Sequence, residues 1–167
     1  MDVLLRTATP ADEPFLWEVL VHAAHATDEV DGPDALRAVP ELARYVEGWG
    51  SPTDLGVIAT QDGRPVGAAW ARLLVGEGAG YGYVDDVTPE LAIAVTPGLE
   101  GRGIGRAMLT QLLNHARVVF PAMCLSVRAD NPARQLYSSL GFREVDGSEI
   151  PNRVGGTSLR MLCPFGA

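Results

Sequence analysis

The 167 residues are enough for one ordinary domain, and a 47% hydrophobic, 20% charged composition is that of a chain folding around its own core. A net charge of −8, with all 13 basic residues arginine, excludes the clustered basic face that nucleic acid requires and is compatible with a cationic partner. The start Met1-Asp2-Val3-Leu4 lacks a signal peptide's basic and apolar regions, and no apolar run approaches the roughly 20 residues of a membrane span, so a cytoplasmic protein without membrane contact is expected.

Val3 to Ala8 predicts a first strand. Thr9-Pro10-Ala11-Asp12 is patterned as a capping box with Pro10 at the first helical position. Phe15, Leu16, Val19, Leu20 and Ala23 follow at helical spacing, predicting a helix to about Ala24. Thr27 to Asp34 is acidic, contains Gly32-Pro33, and predicts a loop. Leu42, Tyr45, Val46 and Trp49 predict a second helix between Pro40 and Gly50. Leu55 to Thr60 and Val66 to Leu73 form a hairpin across Gln61-Asp62-Gly63-Arg64. Gly76 to Gly82 is glycine-rich and interrupts the pattern.

Leu91 to Val95 is continuously apolar, as in a strand covered on both faces, and Thr96-Pro97-Gly98 ends it. A helix runs from Ile104, with Met108, Leu112 and Ala116 on one face and Leu109 and Leu113 beside it, until Pro121 closes it. Met123 to Val127 is a second buried strand and Pro132 to Leu140 a short helix before Gly141. Phe142 to Val145 and Thr157 to Leu162 predict a last antiparallel pair. With no repeat or linker, residues 1–167 form a single α/β domain: strand, two helices, meander, then a β-loop-α-β crossover. Cys124 and Cys163 are far apart and predict two buried free thiols; no metal is expected. The arginine-only, Gly-, Ala- and Val-rich composition suits a bacterial source.

The segment Glu100-Gly101-Arg102-Gly103-Ile104-Gly105-Arg106 follows a buried strand and opens a helix. Glycines there let backbone N–H groups approach an anion at the positive end of the helix dipole, and Arg102 and Arg106 can add charge. It is not the dinucleotide fingerprint, whose third glycine is replaced at Arg106 or Met108, nor a P-loop, which needs a lysine. A second segment, Asn131 to Phe142, lies directly after the second buried strand.

Together the two segments resemble the GNAT superfamily of acyl-CoA-dependent N-acetyltransferases. The loop resembles its Arg/Gln-x-x-Gly-x-Gly/Ala pattern. Asn131-Pro132-Ala133-Arg134-Gln135-Leu136-Tyr137-Ser138-Ser139-Leu140-Gly141-Phe142 resembles its Asn-x-x-Ala-x-x-Leu-Tyr-x-x-x-Gly-Phe pattern, with Ala133 one residue early. The likeness covers Glu90 to Phe142 by motif and Val3 to Leu73 by topology.

The resemblance implies a mixed, mostly antiparallel twisted sheet with flanking helices and a central parallel strand pair, splayed so that pantetheine lies in the gap. By position, Val95 would bond the pantetheine through its backbone. Gly101, Arg102, Gly103, Ile104, Gly105 and Arg106 would hold the pyrophosphate, and Asn131 would meet the cosubstrate, acetyl-CoA, from the other side. Glu100 departs from the pattern, standing where the family has Arg or Gln; it either faces the pyrophosphate or serves the helix N-terminus.

Tyr137 matches the tyrosine that protonates the departing CoA thiolate in many members; otherwise it packs with Ala133 and Leu140. Attack needs a neutral amine, and Glu90 matches the strand-start carboxylate that takes its proton in several relatives; the other reading is a solvent-facing strand end. Asp85 and Asp86 compete for that role ahead of the histidines; His22 and His25 on the first helix would border the acceptor site, and His115 is expected at the surface. The acceptor pocket would be built by the first two helices, their connection and the last hairpin. Asp28, Glu29, Asp31 and Asp34 in that connection suit a polyamine, an aminoglycoside-like molecule or a basic peptide amine, unless they are only a solvated loop. A homodimer is admitted. The competing functions are a CoA-binding sensor without chemistry and a plain nucleotide-phosphate binder.

Overall fold

The computed structural model describes residues 2–23, 32–151 and 155–166. Strands β1 (Val3–Thr7), β2 (Leu55–Gln61), β3 (Arg64–Arg72) and β4 (Glu90–Val95) form an antiparallel run. Helix α4 (Ile104–Ala116) then crosses to β5 (Ala122–Arg128), which lies parallel to β4. The sheet order is β1-β2-β3-β4-β5-β8-β6, where β6 is Arg143–Glu144 and β8 is Thr157–Pro164; a short β7 (Ile150–Pro151), not foreseen in the sequence, also pairs with β8. The mixed, mostly antiparallel sheet with one parallel pair is the architecture the sequence implied.

Helices cover both faces because the strands alternate apolar side chains to each. Val57, Ala59, Ala69 and Ala71 turn to one face, where Met108, Leu109, Leu112 and Ala116 of α4 pack. Ile58, Ala68 and Trp70 turn to the other, against Leu16, Val19 and Leu20 of α1 (Glu13–Ala23) and Leu36 and Leu42 from the short α2 (Pro33–Leu36) and α3 (Pro40–Ala43). The stripe foreseen on α4 is the buried one. Before α1, the Asp12 carboxylate accepts the Thr9 N–H at 2.7 Å, as a capping box does, and is held by both terminal nitrogens of Arg6. Cys124 and Cys163 are free and buried. Among the described residues, no helix is long and apolar enough to cross a membrane.

Two expectations change. The helix foreseen across Leu42 to Trp49 is only α3, followed by tight turns. Side chains of β3 capture the carbonyls that would continue it: Arg72 Nη1 donates to Arg44 O at 3.1 Å and Glu47 O at 2.7 Å, and Trp70 Nε1 to Tyr45 O at 2.8 Å. The apolar run Leu91 to Val95 is not covered on both sides: Leu91 is buried, but Ala92 to Val95 are only half-buried. They border a cavity that opens where β5 leaves β4.

Candidate active site

β4 and β5 share a single registered pair, Glu90 with Cys124, and then diverge. A hydrogen bond of 3.0 Å from the Cys124 N–H to Pro89 O closes the apex. At the other end of β4 the Thr96 N–H donates to Val66 O, on the β3 side. Backbone groups alternate sides along a strand, so those of Leu91, Ile93 and Val95 point toward β5, into the gap. Past the Glu90–Cys124 pair this edge has no strand partner among the described residues, over about 13 Å from Leu91 to Val95. The gap belongs to a cavity of about 650 Å³ whose wall includes Glu90 to Val95, Leu125 to Arg128, Asn131 and Tyr137.

At the mouth lies the glycine loop. Gly101 (φ +78°) and Gly103 (φ +81°) adopt left-handed backbone, and a Cβ at either would meet nothing within 4 Å. The space in front of the backbone is therefore open to a ligand, while any side chain there would be strained and would occupy it. Gly103 caps α4, whose first-turn N–H groups have no partner within a helix and face outward at its positive end. The Ile104 side chain is in the core, leaving its N–H to the loop; Gly105 approaches Leu136, and Arg102 and Arg106 are exposed beside it. Such a loop fits a pyrophosphate. The Glu100 carboxylate accepts the Gly98 N–H at 2.8 Å, bracing the turn before the loop. Among the described residues it bonds neither the helix terminus nor the glycine cradle.

Across the gap, the Asn131 Oδ1 accepts the Ala133 N–H at 2.8 Å in the turn that leads into α5 (Ala133–Ser139). That helix carries Tyr137, whose ring meets Phe142 edge to face at 5.9 Å. Burial pushes the Tyr137 phenol up to about 12, so it is protonated throughout the physiological range.

Glu90, at the apex, is 4% exposed, which overturns the solvent-facing reading. Tyr45 donates to its Oε2, while Oε1 is buried without a hydrogen-bond partner among the described residues. Desolvation raises its pKa to about 7, partly offset by the Tyr45 hydrogen bond, the Gly82 backbone, Arg160 and Arg44. A carboxylate poised near neutrality is suited to accept a proton.

The competitors fare differently. Asp85 and Asp86 are exposed and serve the Val87 N–H and the Tyr83 hydroxyl. His22 lines the cavity; His115 is half-buried on α4, away from it. His25, Asp28, Glu29 and Asp31 lie outside the described residues, and Asp34 is exposed in α2.

Sequence reasoning missed Tyr45 and the part played by Gly80 and Gly82. A Cβ on Gly80 would stand 2.3 Å from Glu90 Oε1, and one on Gly82 would stand 2.6 Å from the Leu125 carbonyl carbon. The glycines at 76–82 were the available signal: they let this segment lie directly on the carboxylate and the β5 backbone.

Comparison with known proteins follows the same lines. A family model described as an acetyltransferase (GNAT) domain matches residues 52–144. A mycothiol acetyltransferase of Streptomyces avermitilis is 31% identical over 142 residues, which are 84% of this chain and 42% of that protein. The chain therefore spans less than half the length of such curated relatives. A ribosomal-protein-alanine N-acetyltransferase from Brucella melitensis superposes with a TM-score of 0.70 at 25% identity, over 96% of this chain and 99% of the other. An acetyltransferase from Salmonella typhimurium, solved with its cofactor acetyl-CoA, shares the fold with a TM-score of 0.72 at 22% identity, over 98% and 94% of the two chains.

Proposed function

This chain belongs to the GNAT acetyltransferase family, and on that premise we propose that it transfers an acetyl group from acetyl-CoA to a primary amine by direct attack. The observation that carries this reading is that one cavity joins a free strand edge to a buried carboxylate and a buried phenol. Bound acetyl-CoA supplies an activated acetyl thioester. The glycine loop and first-turn N–H groups of α4 hold its pyrophosphate, with Arg102 and Arg106 beside them. The edge of β4, ending at Val95, receives the pantetheine as an added strand would be received, with Asn131 on the opposite wall.

Glu90 takes the proton that the acceptor amine sheds, using the oxygen that has no hydrogen-bond partner among the described residues. Backbone amides of β4 that face the gap stabilise the negative charge developing on the acetyl oxygen. Tyr137 gives its phenolic proton to the departing sulfur. The half of the cavity bounded by Leu20, His22, Tyr81 and Ile150 receives the acceptor.

The test is release of free CoA thiol from acetyl-CoA against a panel containing a polyamine, an aminoglycoside, an alanine-led peptide and the acceptor of the mycothiol acetyltransferases. Thiol release that depends on one of these amines is expected. Acetyl-CoA binding with no release on any of them would favour a sensor instead.

A further inference from the structure

The tyrosine beneath Glu90 is held as firmly as the carboxylate itself. Tyr45 sits just after α3, its carbonyl taken by Trp70 of β3 and its ring buried. Its hydroxyl accepts the Tyr81 N–H at 3.0 Å and donates to Glu90 Oε2. Burial and the neighbouring carboxylate raise the phenol's pKa well above its usual value, so it remains a donor. One oxygen of Glu90 is thereby committed; the other is buried beside Gly80 without a hydrogen-bond partner among the described residues, on a residue that lines the cavity.

Gly80 closes the arrangement. A Cβ there would lie 2.3 Å from Glu90 Oε1 and 2.7 Å from the Tyr45 hydroxyl. Its φ lies outside the left-handed range, so space alone requires glycine.

We propose that Tyr45 is a positioning residue for acyl transfer, clamping one oxygen of Glu90 so that the other meets the acceptor amine, with Gly80 leaving the room this needs. The proposal rests on Glu90 being the base. The groups around the carboxylate are Tyr45 and Arg44 after α3, the Gly82 backbone, Arg160 on β8 and Cys124 on β5. Arg72, opposite Glu90 on β3, turns instead to Asp54 at 3.0 Å. Tyr45 is the one side chain hydrogen-bonded to Glu90 among the described residues.

That bond favours the charged form, so its loss must raise the pH at which Glu90 ionises. A hydrogen bond to a charged group is worth enough to move the midpoint by about one pH unit or more. In Tyr45→Phe, the ¹³C resonance of labelled Glu90 carboxyl, assigned with Glu90→Gln, should titrate about one unit above the wild-type midpoint near 7. Turnover at pH 7 should fall by about fivefold and recover near pH 9, a recovery that a purely structural lesion would not give.

An unmoved midpoint overturns the positioning role. Should Tyr45→Phe not hold its fold, Gly80→Ala displaces the same carboxylate from the other side, and there too an unmoved midpoint overturns it. Glu90→Gln separates the two questions. Undiminished turnover in that variant removes the base, whereas its loss beside an unmoved Tyr45→Phe midpoint removes only the clamp.

Discussion

Replacing Tyr137 by phenylalanine isolates one proton. The ring stays against Phe142, and among the described residues no protein group hydrogen-bonds the hydroxyl, so the change removes no structural bond. Burial alone sets the phenol near 12, against about 8.5 for a thiol in water. Transfer to a fully hydrated thiolate would be uphill by about 5 kcal/mol. The apolar walls that raise the phenol also raise the sulfur's proton affinity and narrow that gap. A donor working against such a gradient belongs at the low end of acid catalysis, about a hundredfold in turnover or about 2.7 kcal/mol of barrier. Acetyl-CoA affinity should hold, and the melting temperature should stay within about 2 °C. Thiol-release kinetics, calorimetric binding and thermal unfolding on a single preparation measure all three. Unchanged turnover would refute the reasoning and leave Tyr137 a core residue.

Glu90 links catalysis to stability with a definite sign. Its carboxyl is raised from 4.5 to about 7, so the folded state binds its proton more tightly than the unfolded chain. The resulting stability is fully present below about pH 4.5 and is lost as pH rises through 7, a difference of roughly 3 kcal/mol. Glu90→Gln should therefore gain stability over wild type in urea unfolding at pH 8 but not at pH 4.5; an equal offset at both would contradict the linkage. At the loop, Gly103→Val forces a branched side chain into left-handed backbone and fills the cradle. Acetyl-CoA should bind it at least about tenfold more weakly, while the fold persists. Undiminished thermal stabilisation by acetyl-CoA would place the pyrophosphate elsewhere.

The sequence by itself determined what is local. The α4 stripe, the glycine loop before it and the short helix ahead of Gly141 were legible because helix periodicity, turn residues and close backbone approach are written in neighbouring residues. The pairing of two motifs named the family before any contact was visible. Tertiary structure decided what depends on distant partners. The continuous apolar run of β4 could not reveal that β5 leaves it after one registered pair, because apolar side chains suit a cavity wall as well as a core. The helix expected through Trp49 gave way because Arg72 and Trp70, distant in sequence, took its carbonyls. Glu90 looked equally like a solvated strand end until the fold buried it beneath Tyr45, 45 residues away, and raised its pKa toward neutrality. Desolvation is a property of the assembled surroundings, and no spacing along the chain encodes it.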